Sequence, residues 1–244
     1  MNISCYFCET VRINWPKIQT SEMPKIIQTE DGSDTLFDPT YGEHYHSIHG
    51  SIQESNHVFI HSGLKRCQAK KITIFEVGFG TGLNTYLTAI EAQNTNQIIQ
   101  YITIEKHPLN KADWENLNYP EIAIHPDPKL FQNLHLAEWG IEIQINDNLS
   151  LYKINGDLTE FKYNNIPPID LIYFDAFSPS SQPELWLTEI FQQLYKHCNP
   201  GAKIVTYCAK GSVRRAMIES GFIVERLPGP PGKREMLRGT KPFK

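Results

Sequence analysis

A run of alternate glycines and three acidic residues at strand ends carry the chemistry of this sequence. Glu76-Val77-Gly78-Phe79-Gly80-Thr81-Gly82-Leu83-Asn84 follows the strand-like Ile72-Thr73-Ile74-Phe75 and leads into a helical pattern. Alternate glycines let the backbone turn sharply and approach a ligand closely, and a strand, turn and helix in that order is the setting in which such a run binds a nucleoside. Glu105 ends the next strand, where a carboxylate can take both hydroxyls of an adenosine ribose. Asp157, in Asn155-Gly156-Asp157-Leu158, follows a third strand and could accept from the adenine amino group. Asp175, in Asp175-Ala176-Phe177-Ser178-Pro179, breaks the strand 169–174 abruptly. A carboxylate followed by an aromatic and a proline can hold an amine while stacking a planar ring. Plainer roles exist for each: a surface helix cap for Glu105, a turn for Asp157, and a helix cap for Asp175. All three lie beyond the carboxyl ends of strands, where ligands of open α/β sheets bind, and that position favours the chemical reading.

The elements that must position these groups follow from hydrophobic patterning. From Lys71 onward apolar strands alternate with helical segments, the sequence form of a doubly wound parallel sheet. Strands are expected at 72–77, 100–105, 151–155, 169–174, 203–208, 222–227 and 234–238, with helices at 83–93, 108–118, 183–198 and 211–220. Glu142 to Asn146 and Leu149 to Ile154 flank Asp147-Asn148, so the third strand starts as a hairpin arm. No helix fits in Pro228-Gly229-Pro230-Pro231-Gly232, so the last two strands must pair antiparallel. A parallel sheet with that ending is the mark of an α/β, Rossmann-like class I S-adenosylmethionine methyltransferase sheet. A nicotinamide dehydrogenase is disfavoured, because its GxGxxG spacing would place the third glycine one residue later. Residues 23–70 read as an N-terminal hairpin and helix cap: alternating strands around Asp31-Gly32, a His-rich stretch, then the amphipathic Ile52 to Leu64. Residues 1–22 read as an extension, and 71–244 as the catalytic core.

Composition narrows the class. Hydrophobic residues at 40% and charged residues at 20% are those of an ordinary globular chain. No apolar run approaches the roughly 18 residues that span a bilayer, and no signal pattern opens the chain, so no membrane association and a cytoplasmic location are expected. Five scattered cysteines argue against a disulfide framework. Cys5-x-x-Cys8 has no second half, and the histidines at 44, 46, 49, 57 and 61 are better read as a substrate-facing cap than as metal ligands; no metal is expected. From Lys203 to Lys244 ten basic residues face three acidic ones, a surplus of +7 that leaves −11 elsewhere in a chain of net charge −4. Charge alone reads this equally as a polyanion-facing surface or a solvated basic face.

Taken together, the sequence resembles the methyltransferase domain of the bacterial MnmC family over roughly residues 25–239. The carrying motifs are the glycine run from Glu76 to Asn84, Ile104-Glu105-Lys106, Gly156-Asp157, Asp175-Ala176-Phe177-Ser178-Pro179, Pro183-Glu184-Leu185-Trp186, Val213-Arg214-Arg215, Gly221-Phe222 and Gly232-Lys233-Arg234-Glu235-Met236-Leu237. The resemblance implies S-adenosyl-L-methionine as cofactor and N-methylation of the 5-aminomethyl group of a tRNA wobble (2-thio)uridine. Glu76, Gly78, Phe79, Gly80, Thr81, Gly82, Asn84, Glu105, Lys106, Asp157 and Asp175 are the expected cofactor-binding residues, with Asp175 also catalytic. Phe177, Ser178, Pro179, Arg214, Arg215, Lys233 and Arg234 are the expected substrate contacts, the arginines and lysine on a basic ridge toward the anticodon stem-loop. Tyr173, Phe174 and Phe177 are candidate pocket walls, with Phe174 the one that fits a core position best. Family members often carry a C-terminal FAD-dependent oxidase domain that unmasks the amine; its absence here implies a stand-alone methyltransferase that receives aminomethyl substrate ready-made or from another enzyme. Ala176 stands where glycine is common in two-domain members. The rival readings are a spermidine synthase-like aminopropyltransferase and a non-catalytic tRNA-binding module.

Overall fold

The computed structural model describes residues 24–243, so residues 1–22, with Cys5 and Cys8, lie outside the described residues. The chain opens with a hairpin, β1 (Lys25–Gln28) and β2 (Asp34–Asp38), to which β3 (Glu43–His44) adds a third antiparallel strand. Asp31 closes the β1–β2 turn, its carboxylate accepting from the Ser33 backbone at 2.9 Å and the Thr29 hydroxyl at 2.9 Å. Next, α1 (Ser51–Ser55) widens into a π-helical segment, Asn56–His61. A uniform helix was the expectation for 52–64. Three consecutive apolar residues, Val58, Phe59 and Ile60, are all buried here, and the wider turn turns them all inward.

The core runs β4 (Lys71–Val77), α2 (Leu83–Thr95), β5 (Ile98–Glu105), α3 (Lys111–Trp114), α4 (Tyr119–Ile122), α5 (Pro128–Leu136), β6 (Glu142–Asn146), β7 (Leu149–Asn155), β8 (Ile169–Phe174), α6 (Thr188–His197), β9 (Cys198–Thr206), α7 (Gly211–Glu219), β10 (Ile223–Pro228) and β11 (Glu235–Thr240). These strands form one sheet of order β10-β11-β9-β8-β4-β5-β7-β6. β4, β5, β7, β8 and β9 are parallel, β6 is an antiparallel edge, and β11 inserts antiparallel between β9 and β10. The two hairpins expected within this sheet, β6–β7 and β10–β11, are therefore present. From β4 the chain winds outward through β5 and β7, then returns to β8 on the other side. That reversal opens a crevice at the carboxyl ends of β4 and β8.

Side chains alternate across the sheet, so Tyr173 and Phe174 enter different cores. Tyr173 packs with Phe59 and Tyr101, and Phe174 with Trp186 and Phe191. The helix expected at 108–118 is reduced to the single turn α3; a second turn, α4, follows it, and α5 is an additional helix. Its start is locally encoded: Pro128 occupies the first turn and the Asp127 carboxylate accepts from Leu130 N at 2.9 Å. The helix expected at 183–198 is interrupted by extended Leu187, which separates a 3-10 turn, Pro183–Trp186, from α6. β9 starts five residues earlier than expected and ends at Thr206. No helix among the described residues is long and apolar enough to cross a membrane.

Candidate active site

A cleft of about 780 Å³ opens at the carboxyl ends of β4, β5, β7 and β8, and residues from Asp38 to His49 form its opposite wall. Its floor is the glycine run. Gly78 has φ +89°, and a Cβ there would lie 2.8 Å from the Asp175 carbonyl, so the two strand ends meet this closely because no side chain intervenes. Thr81 is held from two sides: His46 of the cap meets its hydroxyl at 2.7 Å, and His135 Nε2 donates to its carbonyl at 3.1 Å. Burial pushes both imidazoles down, His46 to about 4 and His135 to about 3, so both are neutral at pH 7. Behind the run, the buried Lys153 ammonium donates to the carbonyls of Leu134 (2.9 Å) and His135 (2.7 Å) at the end of α5 and faces the rings of Phe79 and Trp139. Neither His135 nor Lys153 stood out in the sequence, because the helix that joins them was not anticipated.

Glu105 is half-buried at the cleft edge, accepting from Gly80 N at 3.1 Å and His107 N at 2.8 Å. It shares the cleft with Gly78, Phe79, Gly80, Thr81 and Asn84. The backbone cradle and this carboxylate fit the adenosine of S-adenosylmethionine. Asp157 also lines the cleft but is more committed than expected. One oxygen pairs with Lys106 Nζ at 2.7 Å, the other accepts from Thr159 N at 2.8 Å, and the lysine's hydrogen bond holds its carboxyl down at about 2. The turn-forming role of Asp157 is thus realised, with Lys106 neutralising its charge. Glu76 is placed differently from its expected cofactor contact: it is fully buried beneath the glycine run and does not line the cleft.

Asp175 faces the cleft and accepts from Asn84 Nδ2 at 2.7 Å. Burial, reinforced by the nearby Glu54 carboxylate, pushes its carboxyl up to about 7, while Asn84 and Lys233 act in the opposite direction. Glu54 comes from α1 and is buried; it accepts from Ser47 N at 2.7 Å and pairs with Lys233. The Lys233 ammonium also sits 3.9 Å from the centre of the Tyr207 ring. Lys233 therefore belongs to the cleft wall, not to the outer phosphate ridge on which the sequence placed it. Arg214, Arg215 and Arg234 lie outside the cleft; Arg215 and Arg234 are exposed, and Arg214 Nε is buried without a partner. Arg238 on β11 is tied to Glu225 and to the Ser62 carbonyl.

The loop after β8 is latched to the cap. Glu43 accepts from the Ser178 backbone at 3.0 Å and from the hydroxyls of Ser178 and Ser181; burial pushes its carboxyl up, but these donors hold it below the usual range. Phe177 lies against Tyr41 and Tyr45 with centroids 4.7 and 5.0 Å apart, a stacking surface at the cleft. Pro179 does not line the cleft, and Tyr173 is fully buried in the core, so of the three candidate wall aromatics Phe177 alone faces it. Replacing Glu43 by Ala strips this latch of its acceptors. Urea denaturation should show a loss of about 1–3 kcal/mol, and KM for the acceptor substrate should rise.

The histidines of the cap are engaged singly: His44 packs on Phe37, His49 pairs with Glu30, and His57 meets the Pro228 carbonyl. Among the described residues no group of His, Cys, Asp and Glu could hold a metal ion.

This geometry agrees with what the chain is similar to. The model of a family of S-adenosyl-L-methionine-dependent methyltransferases matches residues 128–242. The tRNA 5-methylaminomethyl-2-thiouridine biosynthesis bifunctional protein MnmC of Burkholderia multivorans is 32% identical over 86% of this chain and 34% of its own length. Its counterpart in Ectopseudomonas mendocina is 33% identical over 82% of this chain and 32% of its own length. The chain thus spans about a third of these curated relatives. The crystal structure of MNMC2 from Aquifex aeolicus aligns with a TM-score of 0.71 and 28% identity, covering 92% of this chain and 74% of that one.

Proposed function

We propose, on the premise that this chain is an MnmC-like S-adenosylmethionine-dependent methyltransferase domain, that it N-methylates the 5-aminomethyl group of a (2-thio)uridine at the tRNA wobble position. The observation that carries the reading is Asp175: a carboxylate at the cleft, beside the glycine run, with a titration point near neutrality.

When bound, S-adenosylmethionine supplies an electrophilic methyl group on a sulfonium. The Gly78 to Thr81 backbone and Glu105 would hold its nucleoside; Gly82 packs against His135 and Phe79 and does not line the cleft. An alkyl amine with a lysine-like pKa near 10 is only about 0.1% neutral at pH 7, so the site must help it shed a proton. Asp175 accepts the amine's hydrogen bond, orients the nitrogen and takes the proton, and Asn84 steadies the carboxylate oxygen it donates to. Phe177, backed by Tyr41 and Tyr45, offers a face for the uracil ring. Placing nitrogen and methyl within near-attack distance supplies much of the remaining rate.

Asp175 must be ionised to accept, so kcat/KM should rise with pH through about 7 and level off above it; a profile flat from pH 6 to 8 would remove Asp175 as acceptor. Arg214, Arg215 and Arg234 are the proposed contacts to the anticodon-stem phosphates. Reversing the charges of Arg214 and Arg215 should weaken tRNA binding and flatten its salt dependence, as read by filter binding; unchanged affinity removes them from the interface. The direct test of function is incubation with labelled S-adenosylmethionine and tRNA lacking only the final methyl, followed by mass spectrometry of the nucleosides. Label in 5-methylaminomethyl(-2-thio)uridine supports the proposal. No label in that nucleoside rejects it.

A further inference from the structure

Glu76 has surroundings that set it apart from the other carboxyls of the site. It is fully buried at the end of β4, in register with Thr103 of β5 and Tyr173 of β8. From α2, the Thr85 hydroxyl donates to its Oε2 at 3.3 Å and the Asn84 amide faces it. Tyr101 and Thr103 turn their hydroxyls toward it from β5, and Asp175 is the charged group nearest in effect. Glu76 Oε1, Tyr101 Oη and Thr103 Oγ1 are buried close together, and none of them forms a well-aligned hydrogen bond. Among the described residues no cation pairs with Glu76. An ionised carboxylate there would be a buried charge without a counterion, whereas a carboxylic acid offers one O–H donor and retains acceptor capacity.

Asn84 connects this group to the reaction. Its Oδ1 accepts from the Ser55 hydroxyl, its Nδ2 donates to Asp175 at 2.7 Å, and its amide also faces Glu76. The amide is thus pinned between the cap, the acceptor carboxylate and the buried acid. Resting on the methyl-transfer reading of Asp175, we propose that Glu76 is a positioning residue that works as a neutral carboxylic acid: it fixes Asn84, and through it Asp175, without placing a second negative charge beside the acceptor. Burial, with Asp175 adding to it, pushes Glu76 up to about 8 against the opposing pull of the Thr103, Tyr101 and Asn84 donors, which agrees with that role. Two neighbouring carboxyls are thereby given different tasks by their surroundings.

Glu76→Gln, neutral at every pH, should keep kcat within about fivefold of wild type and leave the acid limb of kcat/KM in place. If Glu76 instead carries charge, Glu76→Gln removes an anionic neighbour, and the limb should move about one unit toward acid. Glu76→Ala should lose far more turnover than Glu76→Gln, and equal losses would overturn the proposal. Where the alanine variant fails to fold, the glutamine variant decides alone.

A second readout needs no substrate. Between pH 6.5 and 8 an unfolded-state Glu is ionised while folded Glu76 still holds its proton, so wild-type stability falls as pH rises. The folding constant of wild type should fall about tenfold per pH unit relative to Glu76→Gln across most of that window. His46, His135 and Lys153 are common to both proteins and cancel in the difference, and Asp175 cancels as long as Glu76 holds its proton. A pH-independent difference would overturn the proposal. Wild-type protein that transfers no methyl would overturn the functional reading instead, and the two failures are told apart because the stability series does not involve activity.

Discussion

Asp175→Asn is expected to lower kcat for methyl transfer about 10³-fold while leaving S-adenosylmethionine affinity within about threefold of wild type. The substitution keeps the shape of the side chain and leaves an amide oxygen for the Asn84 donor, so the strand end and its contact with Gly78 are undisturbed. On the proposed mechanism it removes the ability to take a proton near pH 7 and the negative charge that attracts the amine. The residual rate should lose the rise through pH 7. Isothermal titration with the cofactor, alongside single-turnover kinetics on aminomethyl tRNA, separates binding from chemistry. Turnover near wild type would leave proximity alone to explain the rate.

Lys233→Met should be the most damaging single change to the cleft wall. It leaves Glu54, whose side chain is 7% exposed, as a buried carboxylate that keeps Ser47 N as a donor but has lost its cation. Stranding one partner of a buried pair costs about 3–5 kcal/mol, measurable as a shifted urea midpoint. Activity should suffer as well. Lys233 lowers and Glu54 raises the Asp175 carboxyl, so loss of the lysine moves the kinetic limb upward in pH. Adding Glu54→Gln to the same chain should recover much of the stability and draw the limb back. Independent effects of the two substitutions would refute the coupling.

The parallel sheet, its antiparallel ending and the glycine run were legible because each rests on local patterning: apolar strands, turn-forming residues and their spacing. Asp175 and Glu105 were legible for the same reason, since a strand that ends on a carboxylate can be read within a few residues. The wall opposite them was not. Glu43 meets Ser178 across 135 positions and Glu54 meets Lys233 across 179, and no spacing rule reports such a meeting. Lys233 looked like one more charge in a basic segment because its partner is on the first helix. Lys153 sits at an inward position of β7, where an apolar residue is the ordinary expectation, and the carbonyls that accept from it belong to a helix shorter than the sequence pattern reveals. Glu76 was drawn toward the ligand by the motif it belongs to; its burial follows from the sheet's packing against α2, which a motif does not encode.

The order of strands at one edge of the sheet has a consequence for how the protein is made. β10 pairs with β11 and with no other strand, and β11 must slot between it and the already formed β9. On the ribosome, then, β10 waits unpaired until the segment after it emerges, and the turn joining the two delivers Lys233 to Glu54, a residue synthesised 179 positions earlier. Closure of the cleft wall therefore waits on β11, which secures both β10 and the turn that carries Lys233.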